Sequence, residues 1–348
     1  MIARLIGLHR CGKSTLFNLP SGREKTSRKF GEKRLTVCKI ADPRVTQLAE
    51  AYSSKKTTFA EIEIEELPEL SSRMLPDIKD ANALIVPIRL FDDPITREKP
   101  SPEKDIREID TELILNDVKA IETRLGTIDR YIKKGAPKQE REEIESEKAL
   151  LARLEALLES GVPVRQIPLD KKEMQTIKNY SFASGIPVLY LLNHDDDHKE
   201  IARTLADKLS SLAGTDTLPM NVKLELELAS LPEDERRELI DEFELEPVGV
   251  DRLIKKVYNL LGLISFLTAG EREARAWTIR TGTDALHSAG TIHKDMQKGF
   301  IRAEVISFNE LASVNFDTNL AKKKGMLRLE GKDYIVKDGD VIFFRFNV

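Results

Sequence analysis

The chain has 348 residues, a formal net charge of −4, and 41% apolar against 33% charged residues. That length allows two or three domains with separate cores and excludes a single small module, while the near-neutral balance names no polyanionic partner. No run of about 18 apolar residues and no basic segment followed by an apolar leader is present, so the expected location is cytoplasmic, away from membranes.

The chain opens with a short apolar run, Ile2–Ala3 and Leu5–Ile6, that leads into GLHRCGKST at 7–15. Leu35–Ile40, the alternating Phe59–Ile64 and Ala83–Ile88 then read as strands, the last apolar on both faces as a buried parallel strand would be. From Ile106 the period changes. Ile114, Val118, Ile121, Leu125, Ile128 and Ile132 step by four and three, and after the turn Gly135–Ala136–Pro137 a second amphipathic stretch carries Ile144, Leu151, Leu154 and Leu158. That pattern predicts an antiparallel helical hairpin. Strand character returns at Ile186–Leu192, followed by NHDDDH and a loop at Pro219–Lys223, so the hairpin is expected as an insertion in one α/β domain. Phe300–Ile306, Met326–Leu329, Tyr334–Val336 and Val341–Phe346 are short β runs separated by turn residues, which predicts a small β-rich domain at the end. Cys11 and Cys38 lack the spacing of a zinc or redox pair and read as unrelated thiols.

Gly7-x4-Gly12-Lys13-Ser14 matches GxxxxGK[ST] in the required setting, with a strand before it and a helix-compatible Thr15–Leu19 after it. Glycines permit the tight backbone whose N–H groups cradle phosphates; Lys13 is expected on the β and γ phosphates and the Ser14 hydroxyl on Mg²⁺. His9 and Cys11 fill variable positions and are expected to line the loop.

This pattern resembles the YchF/Obg-like ATPase family, a branch of the Obg-type P-loop GTPases. AGEREARAWTIRTGT (269–283), AGTIHKDMQKGFIRAEVI (289–306) and LRLEGKDYIVKDGDVIFFRFNV (327–348) are similar to that family's TGS-containing domain, and ADPR (41–44), TELIL (111–115) and LLGLISFLTAG (260–270) extend the likeness. The resemblance implies an α/β P-loop NTPase G domain with an inserted α-helical coiled-coil hairpin, plus a C-terminal α+β, β-grasp-like TGS domain. The corresponding ranges are 1–104 and 179–268 for the two parts of the G domain, 105–178 for the insertion and 269–348 for the TGS-containing part.

The resemblance also implies the nucleotide contacts: Gly7, Gly12, Lys13, Ser14 and Thr15 at the phosphates, Asn193 and Asp196 at the base, and Asn221 in the place of the family's SAK motif. Asn193-His194-Asp195-Asp196 is similar to the NxxE variant that goes with ATP, so ATP is favoured and GTP stays open. His194 and His198, at i and i+4 with three aspartates between them, are the alternative reading as metal ligands, and for want of a further ligand cluster the base-loop reading is preferred.

The switches depart from the family. Where switch II has D-x-A-G-L, this chain has Glu63-Ile64-Glu65-Glu66-Leu67-Pro68; Glu63 is the candidate replacement for the aspartate, hence a second Mg²⁺ candidate, and Glu66 puts a charge where a glycine is expected. The switch I segment is shortened to SGREKTSRKFGEKR (21–34), a basic stretch with Arg23, Lys25, Arg28, Lys29, Lys33 and Arg34 that reads equally as solvated surface or as a phosphate or RNA contact. The cradle is kept and the sensors are lost, so no catalytic residue is named and hydrolysis is expected to be slow or absent.

The TGS resemblance implies ribosome or RNA contact, although Lys322–Lys323–Lys324 is equally a solvated turn and Trp277 reads as core. The expected protein is a monomeric nucleotide-binding module of translation. The competing readings are an ATPase or GTPase whose truncated switches a partner completes, and a scaffold without nucleotide.

Overall fold

The computed structural model describes residues 2–21, 34–68, 75–135, 137–245 and 249–347. The basic residues Arg23, Lys25, Arg28, Lys29 and Lys33 lie outside the described residues. The chain divides into two compact units, residues 1–36 with 63–250 and residues 37–62 with 251–348.

The strands, in chain order, are β1 (Ile2–Leu5), β2 (Arg34–Lys39), β3 (Thr57–Thr58), β4 (Glu61–Glu66), β5 (Ala83–Leu90), β6 (Val188–His194), β7 (Thr217–Met220), β8 (Leu263–Thr268), β9 (Ala274–Arg280), β10 (Phe300–Ser307), β11 (Arg328–Glu330) and β12 (Asp340–Phe346). The first sheet has the order β2-β4-β1-β5-β6-β7, with β1 parallel to both β4 and β5, β5 to β6 and β6 to β7. Its central strand β5 buries Ala83, Leu84, Ile85, Val86 and Ile88, as a strand covered on both faces must. The chain runs from β1 outward to one edge and then returns through β5 to the other, so strand order reverses between β1 and β5. In such sheets the crevice beyond the carboxyl ends of the strands at the reversal is where ligands bind.

Between β5 and β6 the helices Pro102–Lys133 and Lys138–Glu159 run antiparallel, tied by Arg124–Glu147 at 2.8 Å and Lys148–Asp129 at 2.5 Å. Ile114, Ile121 and Ile128 bury against Leu151, Leu154 and Leu158, with Val118, Leu125, Ile132 and Ile144 at the margin. Every residue of the predicted seam therefore shares one apolar cluster. Its return to the sheet is fixed by Asp117, fully buried, whose carboxylate accepts from the Ala183 and Ser184 amides at 2.8 and 2.7 Å.

The second sheet has the order β11-β10-β12-β8-β9-β3, antiparallel except for β12 with β8 and β3 with β9. The expected boundary at 269 falls between β8 and β9, which pair from Leu263↔Arg280 to Thr268↔Arg275; this unit holds both strands, and its edge strand β3 comes from the excursion 37–62. Phe266, Ile279, Ala303, Val305 and Ile342 form its core. Trp277 packs on that core, with its N–H donating to Thr268 Oγ1 at 2.9 Å and the Arg275 guanidinium 3.9 Å from its ring centroid.

Replacing Asp117 by alanine strands two buried amides, each worth about 1–3 kcal/mol unsatisfied. Asp117→Ala should lower stability in chemical denaturation by roughly 3 kcal/mol and Asp117→Asn, which keeps one acceptor, by about half as much.

Candidate functional site

The carboxyl ends of β1, β4, β6 and β7 bring four short segments to one crevice. The loop after β1 enters the helix Lys13–Asn18 through Gly12, at φ 90°. A side chain is barred there twice over: the conformation is left-handed, and an added Cβ would lie 2.2 Å from Asn193 Nδ2. Glycine at this position thus lets the Asn193 amide lie against the loop. At Gly7 an added Cβ would come within 2.9 Å of Cys11 Sγ, so the loop is closed on itself at its first residue as well.

Lys13 is buried, and its Nζ donates to the Pro68 carbonyl at 3.0 Å. The exposed Ser14 donates its hydroxyl to Glu66 Oε1 at 2.8 Å. Glu66 closes β4 opposite Leu5, has no solvent exposure, and accepts on Oε2 from Arg34 Nε at 2.6 Å. The Arg34 guanidinium in turn lies 4.5 Å from the centroid of the Phe17 ring, one turn along the same helix as Ser14.

The carboxylate beside Ser14 is thus that of Glu66, which corrects the assignment of Glu63. Glu63 pairs with Ile2 three residues back along β4, and alternation puts its side chain on the opposite face of the sheet from Glu66. Magnesium fits poorly. Beside a nucleotide the protein's share of such a site would be Ser14 and one carboxylate, and both Glu66 oxygens are engaged, one by the hydroxyl that would ligate the ion and one by a guanidinium.

At the other end of the crevice Asn193, buried, donates from Nδ2 to the Cys11 carbonyl at 3.0 Å and accepts on Oδ1 from the Val222 amide at 3.2 Å. One side chain therefore joins the loop after β1 to the segment after β7. Asn221 caps the helix Val222–Ala229 by accepting from Leu224 N at 3.1 Å, and its amide donates to Asp196 Oδ1 at 2.9 Å. Gly12, Thr15, Asn193, Asp196, Asn221 and Lys223 line a cavity of about 1000 Å³. His194 and His198 bond within their own turn, His194 Nδ1 to the Asp195 carbonyl and His198 Nδ1 to the Asp195 carboxylate.

Sequence reasoning missed three contacts: Arg34 on Glu66, Pro68 on Lys13, and Arg10 on Asp93 at 3.1 Å. The last steadies the loop at Arg10, which has φ 57°; Asp93 accepts from the Thr96 and Ile95 amides as well, and these bonds hold it well below the usual carboxylate range. Burial pushes the Cys11 thiol up to about 11, so at neutral pH it is a protonated lining group.

A family model named YchF-GTPase_C, described as a protein of unknown function (DUF933), matches residues 263–347. Ribosome-binding ATPase YchF of Haemophilus influenzae is 35% identical over 364 aligned positions that cover 99% of this chain and 98% of that protein. The protein of the same name from Bacillus subtilis is 33% identical over 372 positions and both full lengths. Both alignments are longer than this chain, which therefore lacks residues its relatives carry. The solved structure of the Schizosaccharomyces pombe YchF GTPase superposes with a TM-score of 0.88 at 24% identity, over 99% of this chain and 97% of that one, a likeness of fold.

Asn193→Ala removes the bridge and leaves the Val222 amide and the Cys11 carbonyl unpaired. The expected cost is roughly 2 kcal/mol, and hydrogen exchange at Val222 should accelerate while that of the β8 to β12 sheet stays unchanged.

Proposed function

This chain belongs to the YchF family, and we propose from that premise that it binds a nucleoside triphosphate at this crevice, ATP in preference to GTP, with slow or absent turnover, in association with the ribosome. The observation that carries the reading is the Asn193 bridge. It joins the GxxxxGKS loop to the Asn221–Val222 segment across a cavity of nucleotide size, so that a phosphate cradle and a base-facing carboxylate belong to one cleft. The ribosome enters through the names of the relatives.

The preference for adenine is supported by Asp196. A carboxylate selects guanine by accepting from the paired donors at N1 and N2, and here one of its oxygens already accepts from Asn221. Guanine must share that oxygen with Asn221, whereas adenine presents no such pair. Slow turnover is supported by the phosphate end. Glu66 stands where a flexible glycine is expected, and Lys13 must leave the Pro68 carbonyl to reach a phosphate. Phosphoryl transfer depends on preorganised positive charge and donors, and loss of one donor commonly costs about 3 kcal/mol, or two orders of magnitude in rate.

Titration calorimetry and a turnover assay test the reading together. Lys13→Ala should abolish ATP binding with the melting curve retained; equal affinity of variant and parent would remove the claim. Asp196→Asn should weaken GTP more than ATP, and a uniform loss would make Asp196 structural. Parent ATPase should run no faster than Lys13→Ala, with or without ribosomes. A rise of about a hundredfold on adding ribosomes, in the parent alone, would replace slow turnover with an enzyme completed by its partner.

A further inference from the structure

We infer that the Arg34 guanidinium takes the place of the divalent cation at the phosphate cradle, so that this chain binds its nucleotide without Mg²⁺; the inference rests on the nucleotide reading above. A carboxylate with no solvent exposure is costly to bury without a cation beside it. At Glu66 that cation is Arg34, whose Nε lies 2.6 Å from Oε2 and whose Nη2 is ion-paired with the same oxygen. The other oxygen accepts from Ser14, whose hydroxyl is the group a bound magnesium would require.

Beside a nucleotide Mg²⁺ completes its octahedron with phosphate oxygens and waters and takes only one or two ligands from the protein. The described residues offer one carboxylate at this place, already shared between a hydroxyl and a guanidinium. Arg34 is also held from a second side, with its guanidinium 4.5 Å from the Phe17 ring centroid, so its position is ordered before any ligand arrives. Although ion-paired, Nη2 is buried and has no hydrogen-bond acceptor among the described residues. A guanidinium carries five N–H groups, more than one carboxylate oxygen takes, and beside a loop built for phosphates that is the arrangement in which arginine binds phosphate oxygens. Unlike a metal ion, it cannot dissociate into chelator.

The test is ATP affinity by titration calorimetry in excess EDTA and in excess Mg²⁺. The parent is expected to lose less than about fivefold in EDTA, whereas Arg34→Met should lose more than that in EDTA and recover when Mg²⁺ is supplied. Arg34→Lys, which keeps the charge on a partner for the buried carboxylate, should behave as the parent in EDTA and provides the comparison if the methionine variant does not fold. A parent that loses more than about fivefold in EDTA overturns the inference while leaving nucleotide binding in place, as does an Arg34→Met protein that matches the parent there. A parent that binds ATP in neither medium overturns the nucleotide reading and this inference with it.

Discussion

A carboxylate is not carried into a protein interior alone, and at the carboxyl end of β4 Glu66 arrives there with a hydroxyl on one oxygen and a guanidinium on the other. Breaking such a buried pair by removing one member costs about 3–5 kcal/mol, because the charge left behind is desolvated and unmatched. Three parts of the chain are therefore held by one side chain: the helix Lys13–Asn18 through Ser14, the start of β2 through Arg34, and β4 itself. Phe17, on the same helix as Ser14, covers the guanidinium. This end of the crevice is shaped by that pair.

The other end of the crevice is built on the opposite logic, with neutral groups. Asn193 offers one donor and one acceptor, and each is used once, toward Cys11 and toward Val222. Because the amide cannot change charge, the bridge is indifferent to pH and to ions. Gly12 makes room for it, so the loop and the bridge depend on each other: a larger residue at 12 would strike the amide, and a shorter one at 193 would leave the loop carbonyl without its donor.

Much of this was legible in the sequence. The hairpin seam was readable because helical periodicity is local, and Ile114 through Leu158 needed no distant partner to be recognised as one apolar face. The loop GLHRCGKS stood out because its spacing matches a phosphate-binding pattern, and Gly12 does take the left-handed conformation that pattern asks of a glycine. Even the burial of Glu66 had a signal: in EIEIEE it shares parity with Ile62 and Ile64, the buried face of β4. What the sequence did not carry was register. Matching by order to D-x-A-G-L puts Glu63 in the aspartate's place, but pairing of Ile2 with Glu63 sends Leu5 to Glu66 and moves the useful carboxylate three residues on. Parallel strands are set by contacts across the sheet, and neither strand states its partner's offset. Arg34 was invisible for the same reason: it was counted within a basic stretch, whereas its role comes from standing opposite a buried acid.

Binding and cleavage make different demands on this cleft, and the same few charges answer them unequally. To receive a phosphate, Lys13 must exchange a main-chain carbonyl for an anionic oxygen. A hydrogen bond to a charged group contributes about 1.5–3 kcal/mol, so the exchange of one for a stronger one lowers affinity without forbidding binding. Cleavage asks for net positive charge around the transferring group. Arg34 with Glu66 sums to zero, where a divalent ion with one carboxylate would sum to plus one. A unit charge about 4 Å from a phosphate oxygen is worth about 4 kcal/mol at an effective dielectric constant near 20, which is larger than one displaced hydrogen bond. On the function proposed here the charge deficit weighs more on the chemical step than on recognition, so that a site of this make-up would hold a triphosphate more readily than it would break one.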